Sequence, residues 1–112
     1  MNMGATKETG YTAKDLAVAR YSKALSHPAR VAILNLLLRR NTCYCGNIVE
    51  ELPISQSTVS QHLRELKEAG LIKGTIEGAS VCYCIDGKEW SKARKALDEL
   101  FERFKDADTA CR

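Results

Sequence analysis

Glycine, proline and aromatic residues are scarce in this chain of 112 residues, which holds 7 Gly, 2 Pro, 1 Trp, 4 Tyr and 2 Phe. So few helix breakers and so few aromatic side chains predict a mainly helical domain with a core of Leu, Ile, Val and Ala. Hydrophobic residues make up 45% and charged residues 28%, which excludes a wholly disordered or collagen-like chain. One domain is expected at this length.

Long hydrophobic runs are also missing. The longest, residues 31–38, is interrupted by Asn35 and is far shorter than the roughly 18–20 residues that a membrane span requires. The first ten residues contain no apolar segment of the signal-peptide type. These absences predict a cytoplasmic protein without a membrane partner, with a folded domain at 11–106 and flexible ends at 1–10 and 107–112.

The motifs of common enzyme classes are absent as well. The sequence has no glycine-rich phosphate loop and no G-x-S-x-G motif, and its 2 histidines, His27 and His62, are far apart in the chain. The net charge of +3 permits binding to a polyanion but does not require it. The chain is therefore not expected to be an enzyme.

Apolar spacing predicts five helices and one β-hairpin, in the order α-α-α-α-β-β-α. The hairpin follows Gly70, with strands at Leu71–Ile76 and Ser80–Ile85, and places Cys82 and Cys84 on one face. The predicted helices run from Thr12 to about Leu25, from Pro28, from a cap at Asn41 or Thr42 to just before Pro53, from Ser55 to Gly70, and from about Lys88.

The third and fourth helices meet across a tight turn at Pro53 and Ile54, which is the outline of a helix-turn-helix. Small hydrogen-bonding side chains crowd the start of the fourth helix, where they would reach base edges and phosphates in a major groove. The hairpin that follows makes this a winged helix. The alternative is a solvated helix face that does no more than follow a good cap.

Three further segments of the chain are distinctive: Ala24-Leu25-Ser26-His27-Pro28-Ala29-Arg30, Ser55-Gln56-Ser57-Thr58-Val59-Ser60-Gln61-His62-Leu63 and Leu66-Lys67-Glu68-Ala69-Gly70-Leu71-Ile72. Together they resemble the ArsR/SmtB-type bacterial winged-helix repressors, and the resemblance covers roughly residues 12–105. It implies a homodimer that binds a palindromic operator in double-stranded DNA, with the first and last helices at the subunit interface.

Carried over by position, the resemblance implies DNA contacts along the fourth helix and the wing. His62 has an alternative role in packing between the helix and the wing, and Glu77 would repel phosphate if it pointed toward DNA. The implied contacts are Ser55, Gln56, Ser57, Thr58, Ser60, Gln61 and His62 on the helix, with Lys73, Gly78 and Ser80 on the wing.

The resemblance also implies a sensory site, because members of this family sense a soft metal, a metalloid or a thiol-reactive species. One family site is a Cys-x-Cys motif on the third helix, where this chain has Cys43 and Cys45. As(III) or a soft divalent metal would act there as an effector, with no cofactor needed for folding. Further ligands would come from Cys82, Cys84 or Cys111. The family's other site, on the last helix, lacks its histidines here.

Two alternatives to metal sensing stay open for the cysteines: reversible oxidation or persulfide formation, and burial as small hydrophobic side chains. An odd set of 5 cysteines is an unfavourable framework for secreted disulfides and suits a reducing compartment. Residues two apart on a strand are about 6.6–6.8 Å apart, so a bond between Cys82 and Cys84 is unfavourable. Free thiols are therefore expected.

Together these patterns predict a dimeric transcriptional repressor that leaves its operator when an effector reacts at cysteine. The alternative is a winged-helix module that binds other proteins, lacks DNA binding and uses its cysteines structurally.

Overall fold

The computed structural model describes residues 10–77 and 80–105 of the chain. Within them, helices and one small antiparallel sheet confirm the predicted winged helix-turn-helix class. The predicted boundaries at 11–106 stay a prediction, because residues 1–9 and 106–112 lie outside the described part. In chain order the elements are α1 (Ala13–Ala24), α2 (Pro28–Arg39), β1 (Cys43–Tyr44), α3 (Ile48–Glu51), α4 (Gln56–Glu68), β2 (Ile72–Glu77), β3 (Ser80–Ile85) and α5 (Gly87–Phe101).

Local sequence signals start the first helices where they are expected. At α1 the Asp15 backbone N–H donates to Thr12 Oγ1 at 3.0 Å, and the Thr12 backbone N–H donates to Asp15 Oδ2 at 3.3 Å. Pro28 occupies the first turn of α2, and His27 Nδ1 accepts from the Ala29 N–H at 3.0 Å. These contacts satisfy N–H groups that a helix start otherwise leaves unpaired.

The core lies between α2, α4 and the sheet. Ile33 and Leu36 of α2 and Leu66 of α4 are completely buried, and Leu71 just before β2 is almost completely buried. Tyr21 of α1 packs against the same cluster, and its hydroxyl donates to Glu89 of α5 at 2.6 Å. One side of α4 packs into this aliphatic core, and the opposite side therefore faces solvent.

A glycine in the left-handed region ends α4 and sets the direction of the wing. Gly70 has a φ of +85°, a conformation that residues with a Cβ adopt only at a cost. The Gly70 N–H donates to the Lys67 carbonyl at 2.9 Å, and the Leu71 N–H donates to the Leu66 carbonyl at 3.1 Å. Because these two hydrogen bonds end the helix sharply, β2 begins at Ile72, only two residues after Gly70.

The Cys-x-Cys segment before α3 forms a strand, where the sequence had predicted a helix. β1 pairs antiparallel with β3, which gives a three-stranded sheet in the order β1-β3-β2. Asn41 and Thr42 do not cap a helix but have φ values of 60° and 71°, and the Thr42 carbonyl accepts from the Ile85 N–H at 2.7 Å. The cap of α3 is Asn47, whose Oδ1 accepts from the Val49 N–H at 3.0 Å.

Over the residues that the structure describes, no helix combines the length and the apolar character that crossing a bilayer requires.

Candidate nucleic-acid interface and cysteine cluster

The helix α4 is held at both ends and along one side. Ser55 caps its start: its Oγ accepts from the Thr58 N–H at 3.4 Å and donates to Thr58 Oγ1 at 2.9 Å. Val59, Leu63 and Leu66 recur at helical spacing and are buried. Because the N-terminal cap, the C-terminal glycine and the buried side fix the position of α4, its outer side is presented to solvent on a rigid helix.

The outer side of α4 is polar and carries no acidic residue in its first turn. All of the helix residues predicted to contact DNA except His62 are exposed. Arg64, which the sequence prediction did not include, is also exposed and lies one helical turn after Ser60. The exposed predicted contacts are Ser55, Gln56, Ser57, Thr58, Ser60 and Gln61. Hydroxyl, amide and guanidinium groups on one helix side suit hydrogen bonding to phosphates and base edges.

His62 is buried, with 6% of its surface exposed, which favours a packing role over a DNA contact, but its partners are Arg30 of α2 and His27 rather than the wing. Three residues after Val59, it falls on the inner side of α4. Its Nδ1 accepts a hydrogen bond from Arg30 Nε at 3.0 Å, and its ring lies 4.4 Å from the ring of His27. Arg30 also donates to the Lys23 carbonyl at 2.9 Å. His62 therefore ties α4 to the start of α2, and it is left out of the contact set.

The surroundings of His62 oppose its protonation. Burial first, and then the positive charges of His27 and Arg30, lower the pKa of His62 below its ordinary value of 6.5, while Glu65 acts in the opposite direction. Within the described residues, its Nε2 is buried without a hydrogen-bond partner. These surroundings therefore favour the neutral form of the imidazole in the folded chain.

The stability of the protein is expected to fall as the pH drops below about 6.5, because the unfolded chain then binds a proton that folded His62 does not. Above that pH both states are neutral at this site and the effect vanishes. Substituting His62→Gln keeps an acceptor for Arg30 and should remove up to about 1.4 kcal/mol per pH unit from the slope of stability. Urea unfolding between pH 5.5 and 7.5 measures this slope.

His27→Asn is the matched control, because asparagine keeps the cap of α2 and leaves His62 buried. This variant should retain most of the slope. The prediction is wrong if His62→Gln and the parent protein lose stability equally between pH 7.5 and 5.5.

The wing contributes one described side chain to the predicted interface. Lys73 is exposed on β2, opposite Cys84 of β3. Ser80 is the first residue of β3 and pairs with Glu77, and Gly78 lies outside the described residues. The wing contacts at Lys73, Gly78 and Ser80 thus stay predictions.

Four of the five cysteines meet on the β1–β3 ladder. Cys43 lies opposite Cys84, and Cys45, which follows β1 directly, lies opposite Cys82. The structure joins each pair as a disulfide, with Cα atoms 4.0 Å apart in both. The expectation of free thiols is therefore wrong for these four cysteines in this structure. We call these four residues the cysteine cluster. Cys111 lies outside the described residues.

The cysteine cluster in this oxidised form does not fit a metal ion, because metal ligation requires thiolates and each sulfur here is bonded to another sulfur. In the part of the chain that the structure describes, no group of three or more His, Cys, Asp or Glu is arranged to hold a metal. The predicted ligands Cys43, Cys45, Cys82 and Cys84 are thus brought together, but as two bonded pairs.

Comparison with known proteins adds to this picture. Residues 27–73 match the family model described as bacterial regulatory protein, arsR family. The chain is 36% identical over 96 residues to the HTH-type transcriptional regulator CmtR of Mycobacterium tuberculosis, covering 86% of this chain and 78% of that protein. It is 39% identical over 82 residues to an uncharacterised HTH-type transcriptional regulator of Methanocaldococcus jannaschii, covering 73% of this chain and 92% of that protein.

Solved structures agree with the sequence relatives. An ArsR-like transcriptional regulator from Rhodococcus superposes with a TM-score of 0.68 at 25% identity, covering 82% of this chain and 86% of that chain. The NMR structure of the cadmium metal-sensor CMTR from Mycobacterium tuberculosis gives a TM-score of 0.51 at 36% identity, covering 84% and 95%. Sequence and fold thus point to the same set of transcription regulators.

Proposed function

The chain belongs to the arsR family of bacterial regulatory proteins, and on that premise we propose that it works as a homodimeric, cytoplasmic repressor that places α4 in the major groove of an operator. The observation that carries the proposal is the exposed, acid-free start of α4, held rigidly between a serine cap and an aliphatic core. A wing follows it directly. A helix and a wing in this order suit one half of a symmetric site.

The base-reading residues in this proposal are those nearest the start of α4. Gln56 offers a donor and an acceptor at its amide, and the hydroxyls of Ser57 and Ser60 reach either bases or phosphates. Arg64 extends the same side by one turn and adds a charge that phosphate attracts. Lys73 on the wing would contact the DNA backbone.

A second subunit is proposed to pack against α1 and α5. Phe101, the last residue of α5, and Phe104, three residues later, are 72% and 69% exposed, which is unusual for aromatic side chains of a monomer. An apolar groove of about 220 Å³ between α1 and α5 is lined by residues that include Val18 and Leu100, the chain neighbour of Phe101. Burial of this surface by a second copy would produce a twofold dimer that faces two operator half-sites.

The effector is proposed to act at cysteine. A soft divalent metal or As(III) would bind only after reduction of the disulfides, since these ions take thiolates. One relative of similar fold is described as a cadmium metal-sensor, which favours that class of ion. An oxidant acting on the same sulfurs is the other candidate.

Fluorescence anisotropy of a labelled duplex tests this function. The duplex comes from the DNA upstream of the chain's own gene, and the control is a duplex of the same length and scrambled sequence. Reduced protein is expected to bind the first duplex far more tightly, with an affinity that falls steeply as salt rises. Arsenite, Cd(II), Zn(II) and a persulfide donor are then added in turn, and at least one should release the DNA.

Equal affinity for both duplexes at low salt would overturn the repressor proposal and favour the protein-interaction alternative. Specific binding that none of the added reagents reverses would retain the repressor and remove the effector from the proposal.

A further inference from the structure

We propose that the cysteine cluster is a thiol–disulfide switch that fastens β1 to the wing, and that the reduced, unfastened protein is the form with high affinity for DNA. The inference rests on the proposed DNA-binding function and specifies the chemistry of its effector site. Its starting point is the ladder register, which sets Cys43 against Cys84 and Cys45 against Cys82.

All four sulfurs project from one face of the ladder. Side chains alternate along a strand, and Tyr44 and Tyr83, the residues between the cysteines, pack against the core. The cysteines therefore share the opposite face. Because partners on facing strands are adjacent, the two thiols of each pair are already within reach, and their disulfide forms without prior movement of the strands.

The two ends of each disulfide differ in accessibility. Cys43, on β1, and Cys45, directly after it, are exposed, whereas Cys84 is half-buried and Cys82 is 3% exposed. An incoming thiolate therefore reaches the β1 sulfur more easily than the wing sulfur. This asymmetry determines which sulfur is attacked and which one leaves.

Reduction proceeds by thiol–disulfide exchange with a dithiol reductant. Its first thiolate bonds to Sγ of Cys45, the bond to Cys82 breaks, and the electron pair of that bond stays on Sγ of Cys82. The second thiolate of the reductant then attacks the reductant's first sulfur, which is bonded to Cys45 in this mixed disulfide. This closes a disulfide within the reductant and releases Cys45 as a thiolate. Cys43 and Cys84 react in the same way. Each exchange moves two electrons from the reductant, which leaves as a disulfide.

Oxidation reverses this with a hydroperoxide or a low-mass disulfide as the electron acceptor. A hydroperoxide oxidises the thiolate of Cys45 to a sulfenic acid and is itself reduced to an alcohol or water. The thiol of Cys82 then displaces water from that sulfenic acid and the disulfide forms. One hydroperoxide is consumed for each pair.

Besides the disulfides, β1 is held by its pairing with β3 and by Tyr44, which packs against the core. The strand is two residues long, and it follows two residues in the left-handed region, of which Thr42 is β-branched and therefore strained. Detaching β1 from β3 allows that backbone strain to relax. The disulfides are the covalent restraint that opposes this release.

Movement of β1 reaches the proposed DNA interface through a shared cavity. The cavity, of about 410 Å³, is lined by Cys45, the α3 cap Asn47, the α4 residues Gln56 and Ser60, and Tyr83 of the wing. Only Gly46 separates Cys45 from that cap. A disulfide between Cys45 and Cys82 therefore fixes the spacing between the wing and the start of α3, which faces the start of α4 across this cavity.

The direction of the switch follows from where a repressor works. The cytosol is reducing, and disulfides there are usually transient and redox-sensing rather than permanent. In the absence of an oxidant the protein is therefore reduced, and this reduced form is the one that occupies the operator. Oxidation locks the wing in one position and weakens binding.

The test compares operator affinity with the redox state of the full chain. Protein is poised with dithiothreitol or with hydrogen peroxide, and free thiols are alkylated and counted by mass spectrometry. Five alkylated cysteines are expected after reduction and one after oxidation. Anisotropy with the upstream duplex should show at least about tenfold weaker binding by the oxidised protein, with recovery on reduction.

Paired substitutions identify the bonds, because tryptic digestion separates neither Cys43 from Cys45 nor Cys82 from Cys84. Cys45→Ser with Cys82→Ser should leave a bond between Cys43 and Cys84, and Cys43→Ser with Cys84→Ser should leave the other. A variant with all four serines should bind DNA like the reduced parent and ignore peroxide. Cys111→Ser is the matched control and should retain the redox response.

Equal affinity of the two redox forms for the upstream duplex would overturn the switch while leaving the DNA-binding function intact. The switch would also be overturned if the oxidised form bound more tightly, or if the four-serine variant still responded to the redox state. Failure of both forms to prefer the upstream duplex would reject the DNA-binding function and the switch with it.

Discussion

Substituting Ser60→Glu is expected to lower operator affinity by roughly a thousandfold, down to the level of binding to unrelated DNA. Ser60 is exposed on the outer side of α4, and Arg64 lies one turn beyond it. A carboxylate at this position faces phosphates and base-edge acceptors, neither of which offers it a favourable partner. A dimer carries the change twice, so both half-sites are affected.

Anisotropy with the upstream duplex measures the loss, and thermal unfolding shows that the fold is intact. Ser91→Glu is the matched control, because Ser91 is also an exposed helical serine but belongs to α5 rather than to α4. That variant should bind the operator like the parent protein. A Ser60→Glu variant that retains specific binding would mean that α4 does not enter the major groove.

Much of α4 could be predicted from sequence because its signals are local. A serine cap, apolar residues at helical spacing and a glycine stop all act within a few residues of the helix they define, and the structure places each of them as expected. The same locality identified the exposed polar side of the helix. Arg64 lies beyond the predicted contact set, which ended at His62, although its four-residue spacing from Ser60 places it on the same side of the helix.

The strand β1 could not be predicted in the same way, because a strand of two residues has almost no local signal. Its existence depends on pairing with β3, about forty residues later in the chain. One signal was available in the sequence. Two cysteines separated by one residue point to the same side on a strand but are about 200° apart on a helix, so two Cys-x-Cys motifs that act together favour paired strands.

The burial of His62 illustrates a related limit. A histidine on a helix full of polar residues has the same local pattern whether it faces DNA or the core. The deciding contact is with Arg30, 32 residues earlier in the chain, where the guanidinium donates to the imidazole. Such pairings between distant elements arise only when α2 and α4 pack together.

Substituting Phe101→Asp is expected to convert the protein to a monomer and to weaken operator binding by about a hundredfold or more. Phe101 is 72% exposed and directly follows Leu100, which lines the apolar groove between α1 and α5. Burying one such side chain contributes about 1.5–3 kcal/mol, and a twofold dimer buries it twice. Losing both weakens dimerisation by roughly a hundredfold to ten-thousandfold. The monomer then holds only one half-site.

Sedimentation equilibrium of the parent and variant proteins measures the dimer directly, and anisotropy measures its consequence for DNA. Val81→Asp is the control for an added carboxylate, since Val81 is 43% exposed but belongs to the wing, and it should leave the dimer intact. Phe101→Leu should retain most of the association because it keeps an apolar side chain. A Phe101→Asp protein that stays dimeric would place the subunit interface away from the end of α5. If the Phe101→Asp protein becomes a monomer but keeps full operator affinity, then operator binding does not depend on a dimer that contacts two half-sites.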